Sequence, residues 1–257
     1  MVSIPAAERT CDVLELLAGA GRPLSAAVIA RECRLPRSST YQLLDVLDDR
    51  GFVARGPHGW TIGSAAFAVG TAYVRSLDLE NVAPAVLRTV VEQAPVPVVA
   101  HLGVLIGHET VYVWKESSDH AVTTITSVGV RLPASLTASG RAMLMHLGRE
   151  QVRAVMSARG AFVDRTGYGP QSLSVLRALL DSERHRGYAE EEGFITPGYA
   201  SVAAPVLDQD GHPRAAVGLT FDARVNSAQR ERLARGALRC AQDLHTRVFS
   251  VMPARLA

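Results

Sequence analysis

Lysine is nearly missing from this chain: Lys115 is its only one, so almost every positive charge is an arginine, a bias of codon usage more than of function. Charge of one sign is also missing. The 27 basic and 25 acidic residues leave a net charge of +2, and residues 1 to 62 hold seven Arg against seven Asp plus Glu, so bulk charge singles out no polyanionic partner. Cysteine is sparse. Cys11, Cys33 and Cys240 lie far apart without a CxxC spacing, which excludes a disulfide framework and a zinc site built on paired thiolates. The start, MVSIPAAERT, lacks a basic stretch followed by an apolar run, and no segment approaches ~18 uninterrupted apolar residues. A soluble cytoplasmic protein with no membrane span is expected. Catalytic signatures are missing too: there is no GxSxG, HExxH or P-loop, and His101, His108, His120 and His146 show no metal-ligand spacing. Neither a metal nor a cofactor is expected.

What is present concentrates between Pro23 and Leu47, in PLSAAVIARECRLPRSSTYQLLDVL. Apolar residues at Val28, Ile29 and Leu35, then Leu43, Leu44 and Leu47, mark two short amphipathic helices meeting across Arg34-Leu35-Pro36. Ser25 can cap the first. Arg37, Ser38 and Ser39 open the second, where free N–H groups attract phosphate. Thr40, Leu44 and Leu47 face one way, leaving Ser38, Tyr41, Gln42 and Asp45 as a polar face able to read base edges. On pattern alone an ordinary helical hairpin fits equally well. The flanks favour a winged helix-turn-helix: a third helix over Ala7 to Ala20, then two short alternating runs around Gly56-Pro57-His58 that place Arg55 and His58 at the tip of a wing beside a phosphate or minor groove. Local charge supports this, because Arg31, Arg34 and Arg37 crowd the turn with Glu32 as the only nearby acid.

The chain length suits two domains. We expect a DNA-binding domain over 1–62, a packed linker helix over 63–77 and a second domain over 78–257. In the latter, Asn81 or Asp78 caps a helix to about Ala94. Val96 to Leu102, Thr110 to Trp114 and Val122 to Ser127 are strands, followed by helices over Ala138 to Leu147, Glu150 to Ala158 and Ser172 to Arg186. Ser201 to Leu207 and Arg214 to Phe221 flank a hairpin at Asp208-Gln209-Asp210-Gly211, and Ser227 to Val251 is a long closing helix. The fold class is α+β, with helices flanking an antiparallel sheet. The acidic triplet Glu190-Glu191-Glu192 reads as a solvated loop beside a pocket more readily than as metal ligands.

Five stretches together resemble the IclR family of bacterial transcriptional regulators: AAERTCDVLELLA, LPRSSTYQLLDVLDDRGFVAR, RLPASLTASGRAML, RGYAEEEGFITPGYASVAAPVLDQDG and the apolar strand that follows. They occur in the family's order and span nearly the whole chain. The resemblance implies a helical linker used in dimerisation, a GAF-like effector-binding domain, and a homodimer or dimer of dimers on double-stranded DNA. It also implies an effector site at Thr124, Leu132, Ala138, Ser139, Glu191, Tyr199, Ser201, Gly218 and Thr220. Two positions depart from the family's habit: Gly218 stands where Ser is frequent and Ser201 where Cys is frequent. Arginine or histidine is common where Tyr41 and Gln42 stand, so the operator cannot be borrowed from relatives.

The competing class is an enzyme acting on a small carbonyl or carboxylate with an accessory DNA-binding domain. Ser139-Gly140 at a helix start is its best nucleophile, but the same geometry suits a bound carboxylate or carbonyl, and no base is evident. The reading favoured here is a regulator, a repressor of a catabolic operon, on a pseudo-palindromic site. The space left by Gly218 and the ring of Tyr199 suggest a flat aromatic acid, amide or hydrazide as effector.

Overall fold

The computed structural model of the chain describes residues 4–76, 79, 81–122, 126–158 and 160–249. The chain divides into two compact units, Met1–Ser76 and Leu77–Ala257.

The first unit runs α1 (Pro5–Gly19), α2 (Ala26–Glu32), α3 (Arg37–Asp49), β1 (Val53–Gly56), β2 (Gly59–Ile62) and α4 (Ser64–Ser76). Ser25 caps α2, its hydroxyl accepting the Val28 N–H. The turn into α3 closes with the Leu35 N–H on the Ala30 carbonyl (2.8 Å) and the Arg34 N–H on the Arg31 carbonyl (3.2 Å), while Arg34 takes a left-handed φ of 55°. Val13, Leu17, Ile29, Leu44, Leu47, Val53 and Trp60 form the core, each large apolar side chain contributing about 1.5–3 kcal/mol on burial. The wing is sewn to the start of the helical pair by Leu24 and Trp60, which exchange N–H and carbonyl at 3.0 and 2.8 Å. A side chain at Gly59 would meet the Leu24 carbonyl oxygen at 2.5 Å, so that approach depends on glycine.

The second unit places α5 (Ala83–Glu92) and α9 (Ser227–Val248) on one face of a six-stranded antiparallel sheet. Its strands are β3 (Val99–Ile106), β4 (Glu109–Ser117), β5 (Arg131–Pro133), β6 (Ala189–Glu192), β7 (Tyr199–Leu207) and β8 (Pro213–Asp222), in the order β5-β4-β3-β8-β7-β6. Ala100, Leu102, Val202, Ala204, Val217 and Leu219 point at α5 and α9. Their alternates face α6 (Ala138–Leu144), α7 (Arg149–Val155) and α8 (Leu173–Arg186) or the cavity described below. Ser172 caps α8, and Gly187, at φ 79°, ends it.

Three sequence expectations need correction. Helix α5 begins after Val82 with no side-chain cap, so Asn81 does not cap it; Asp78 lies outside the described residues. Val122, Thr126 and Ser127 are not strand, and the edge strand is Arg131–Pro133, paired to Glu109–Val111. The acidic triplet is not a loop: it is most of β6, whose alternation turns Glu190 and Glu192 away and buries Glu191. Among the described residues no helix is long and apolar enough to cross a membrane.

Candidate functional site

On α3 the inward face is Thr40, Leu44 and Leu47, all buried, with the Thr40 hydroxyl donating to the Pro36 carbonyl. Arg37, Ser38, Tyr41, Gln42 and Asp45 are exposed and Ser39 is half-buried. No side chain caps α3. Glu32 is taken by Arg31 at 2.7 Å, so among the described residues Arg34 and Arg37 have no acidic partner. Arg55 and His58 are exposed on the wing, the Arg55 guanidinium lying 5.8 Å from the Trp60 ring centre. The unit therefore presents a helix face rich in donors and acceptors, flanked by cations with no carboxylate to satisfy them.

The second unit carries a narrow cavity over the face of the sheet opposite α5 and α9. Strand register builds its floor. Glu191 pairs with Ser201 across β6 and β7, Ser201 pairs with Thr220 across β7 and β8, and one step along, Gly218 pairs with His101. Leu132, Ala138 and Ser139 close one side, and Ile195, Thr196 and Tyr199 the other. Of the nine positions implied by the family resemblance, eight thus line one cavity, and Thr124 lies outside the described residues. The room left by Gly218 is not empty, because a side chain there would meet the Ser139 hydroxyl at 2.5 Å. Glycine at 218 accommodates Ser139 rather than a ligand.

Several of the cavity's polar side chains are engaged with one another. Ser201 donates to Glu191 Oε1 at 2.6 Å and lies 3.1 Å from the Thr220 hydroxyl, and the Phe194 N–H donates to Glu191 Oε2 at 3.0 Å. Burial pushes the Glu191 carboxyl up, while Ser201 and the N–H groups of Phe194 and Ile195 draw it back. Burial, then Glu191, pushes the Tyr112 phenol up; its hydrogen bond to Ser139 opposes them. His101, 1 % exposed, lies 2.6 Å from the Thr126 hydroxyl and against the Tyr112 ring. Burial, then Lys115, lowers its pKa to about 3, so it is neutral at physiological pH.

Helix α6 is seated by small contacts. Thr137 caps it through the Gly140 N–H at 3.0 Å and meets Thr110 at 2.8 Å, and a side chain at Gly140 would collide with the Ala134 backbone at 2.4 Å. One residue on, Arg141 is fully buried. Its guanidinium reaches both Glu183 oxygens, the Ser135 and Leu136 carbonyls at 3.1 Å, and the Glu190 carbonyl at 2.6 Å. It thus ties together the loop before α6, α8 and β6, and so holds two walls of the cavity.

A family model described as "IclR helix-turn-helix domain" matches residues 6–57, and one described as "Bacterial transcriptional regulator IclR C-terminal" matches residues 71–246. The chain belongs to the IclR family. Among IclR relatives, the Transcriptional repressor IclR of Escherichia coli K12 is 28% identical over 218 residues, covering 82% of this chain and 78% of that protein. The Glycerol operon regulatory protein of Streptomyces coelicolor is 30% identical over 227 residues, covering 85% of each. Among solved structures, an IclR homolog from Microbacterium hydrocarbonoxydans complexed with 4-hydroxybenzoate superposes with a TM-score of 0.79 at 23% identity, over 95% of this chain and 98% of that one. A putative IclR regulator from Silicibacter sp. TM1040 gives 0.80 at 20%, over 97% and 98%. The protein is accordingly a DNA-binding transcriptional regulator with a helix-turn-helix and an effector-binding C-terminal domain.

Six lining residues escaped the sequence reading of this IclR protein: His101, Tyr112, Thr126, Thr137, Ile195 and Thr196. His101 and Tyr112 sit inside apolar strands, and only the pairing of His101 with Gly218 brings them to the site. Thr137 could have been found, since a threonine before a small-residue helix start is a cap signal.

Proposed function

We propose that the protein is a repressor acting as a homodimer, or a dimer of dimers, on a pseudo-palindromic operator, released or tightened by a small effector in the C-terminal cavity. The observation that carries this reading is the convergence of Ser139, Glu191, Tyr199, Ser201 and Thr220 on one cavity, in a chain that also presents α3 with exposed Arg37 and Gln42. Several relatives are named repressors, which supports that sign of action. Self-association is supported by α4, where Phe67 and Val69 are 76% and 60% exposed, apolar area that a second copy would cover. The DNA contacts assigned are Arg34, Arg37, Ser38, Ser39, Tyr41, Gln42, Arg55 and His58.

The effector class proposed is a flat aromatic acid, amide or hydrazide, a reading supported by the bound 4-hydroxybenzoate of the Microbacterium protein and by the half-buried ring of Tyr199 at the cavity. The free volume is about 30 Å³, well below the ~150 Å³ of cavities that hold benzene. Entry of such a ligand therefore requires the strap between β6 and β7 to move outward, and Gly193 and Gly198, at φ 71° and 84°, stand at its two ends. That movement gives the ligand a differential affinity for two arrangements of the domain, the only source from which control of DNA binding can come.

Catalysis is no part of this reading. Ser139 bonds Tyr112 and His101 bonds Thr126, so hydroxyl and base are not paired. Calorimetric titration of matched aromatic and aliphatic acids and amides into wild type and Tyr199→Ala tests the pocket. Tighter binding of aromatic ligands, weakened by about 1 kcal/mol in the variant, is expected. Tighter binding of pyruvate-sized ligands, or no effect of the variant, contradicts the aromatic class.

A further inference from the structure

On the sheet face opposite the effector cavity lies a second opening, a cleft between α5 and α9, and we propose that it is a separate binding site for a linear aliphatic dicarboxylate. Its free volume is about 260 Å³, above the ~150 Å³ of a cavity that holds benzene. Two contacts set its course. A side chain at Gly236 would meet Val90 Cγ2 at 3.5 Å, and the Cys240 thiol lies 3.9 Å from the Val86 carbonyl, so α9 runs antiparallel to α5 along the cleft. Val86, Val90, Leu233 and Cys240, all buried, make an apolar floor, with Leu219 of β8 beneath. Leu219 stands between Gly218 and Thr220, which line the effector cavity, so the two openings lie back to back across one strand.

Gly236 keeps the cleft open. Glycine inside a helix is less favourable than alanine, and here the nearest atom to an added Cβ is at ordinary contact distance, so packing does not demand it. What glycine supplies is room over Val90. Arg232 and Arg239 flank that room, seven residues apart on one face of α9 and ~10 Å apart along its axis, both exposed at the rim. Among the described residues neither has a hydrogen-bond or ion-pair partner, whereas Arg230, Arg235 and Arg247 of the same helix are each bound to a carboxylate. The one acid in the cleft wall, Asp243, is held by Arg247 at 2.7 Å. A cation at each end of an apolar slot is complementary to a chain with a carboxylate at each end. Suberate, extended, spans about that length and succinate does not; its methylenes would displace water from the floor while its ends pair with the two guanidinium groups.

The experiment is calorimetry on the full chain near neutral pH with suberate, octanoate and succinate. One suberate per chain should bind saturably, about threefold or more tighter than octanoate and about tenfold tighter than succinate, and its affinity should fall as salt is raised. Arg232→Gln and Arg239→Gln, both at exposed positions, should each weaken it about threefold to fivefold. Gly236→Leu fills the slot and should weaken it at least about tenfold, and Thr220→Val, on the other face of β8, should leave it unchanged. Should leucine disturb the packing of α9, the two arginine variants decide. No suberate binding to the wild type overturns the proposal. So does octanoate binding as tightly as suberate with both arginine variants silent, which would mean apolar adherence only. Suberate binding lost in Thr220→Val and kept in the arginine variants would place it in the effector cavity. A change in sedimentation of Gly236→Leu, with no suberate bound by the wild type, would assign the cleft to a second copy of the chain instead.

Discussion

Arg141 and Glu183 face each other with no exposed side-chain area, the guanidinium Nε standing 3.0 and 3.1 Å from the two carboxylate oxygens. A buried pair of this kind adds little net stability over a well-packed apolar pair, but removing one partner leaves the other charged and dry. Arg141→Met and Glu183→Leu should each destabilise the protein by about 3–5 kcal/mol, and the double variant by markedly less than the sum. Denaturant titration of the three variants checks this. Because the same guanidinium holds the Glu190 carbonyl beside Glu191, any single variant that folds should also weaken effector binding. Additive losses would show that the pair is not coupled.

Arg34 occupies the left-handed position that ends α2, where glycine is the usual residue. Arg34→Gly should raise unfolding stability by roughly 0.5–1 kcal/mol while weakening operator binding and lowering the salt slope by about one per lost phosphate contact, two for a dimer. Thermal unfolding and anisotropy at several salt concentrations measure both. A variant both less stable and unchanged in DNA affinity would remove Arg34 from the interface.

Gln42 and Arg37 should separate reading from grip. Gln42→Ala is expected to cost ~1–3 kcal/mol on the operator and relax preference at one base pair per half-site. Arg37→Ala should weaken all sequences alike and reduce the salt slope. Competition binding against a library of half-site variants distinguishes them, and equal loss of discrimination in both would mean the faces of α3 are assigned wrongly.

His101 makes stability pH-dependent with a definite sign. Its folded pKa of about 3 lies below the unfolded value near 6.5, so between these values the unfolded chain binds more protons. Its contribution is full above pH ~6.5 and is lost as the pH falls toward about 3, amounting to roughly 5 kcal/mol at most. The buried carboxyls of Glu183 and Glu191, pushed up by burial, act in the opposite sense, so a difference measurement is needed. Denaturation of wild type and His101→Gln at several acidic pH values should show the gap between them closing as pH falls. A constant gap would mean that His101 is not held neutral.

The helix pair was legible because burial on a helix recurs every three to four residues, and Leu44 and Leu47 obey that rule within one short segment. The edge strand Arg131–Pro133 was not, because three residues are too few to show an alternation. The resemblance placed Glu191 at the cavity, but reading its triplet as a solvated loop failed for a different reason. Three adjacent acids suggest solvent, yet pairing of β6 with β7 turns only the middle one inward, onto Ser201. His101 and Arg141 had no local signal at all, since their partners Thr126 and Glu183 lie 25 and 42 residues away. The cavity's membership could be reached by resemblance, but its hydrogen-bond directions required the sheet register.

The most direct test of ligand control is operator affinity measured by fluorescence anisotropy with and without a saturating cavity ligand, in wild type and in Thr220→Val. Wild-type affinity should shift about 5–150-fold, with the ligand's own affinity shifting by the same factor when DNA is bound, and the variant should bind DNA normally but lose the response at the same ligand concentration. Unchanged wild-type affinity at saturation, or a full response in the variant despite lost ligand binding, would contradict control through this cavity.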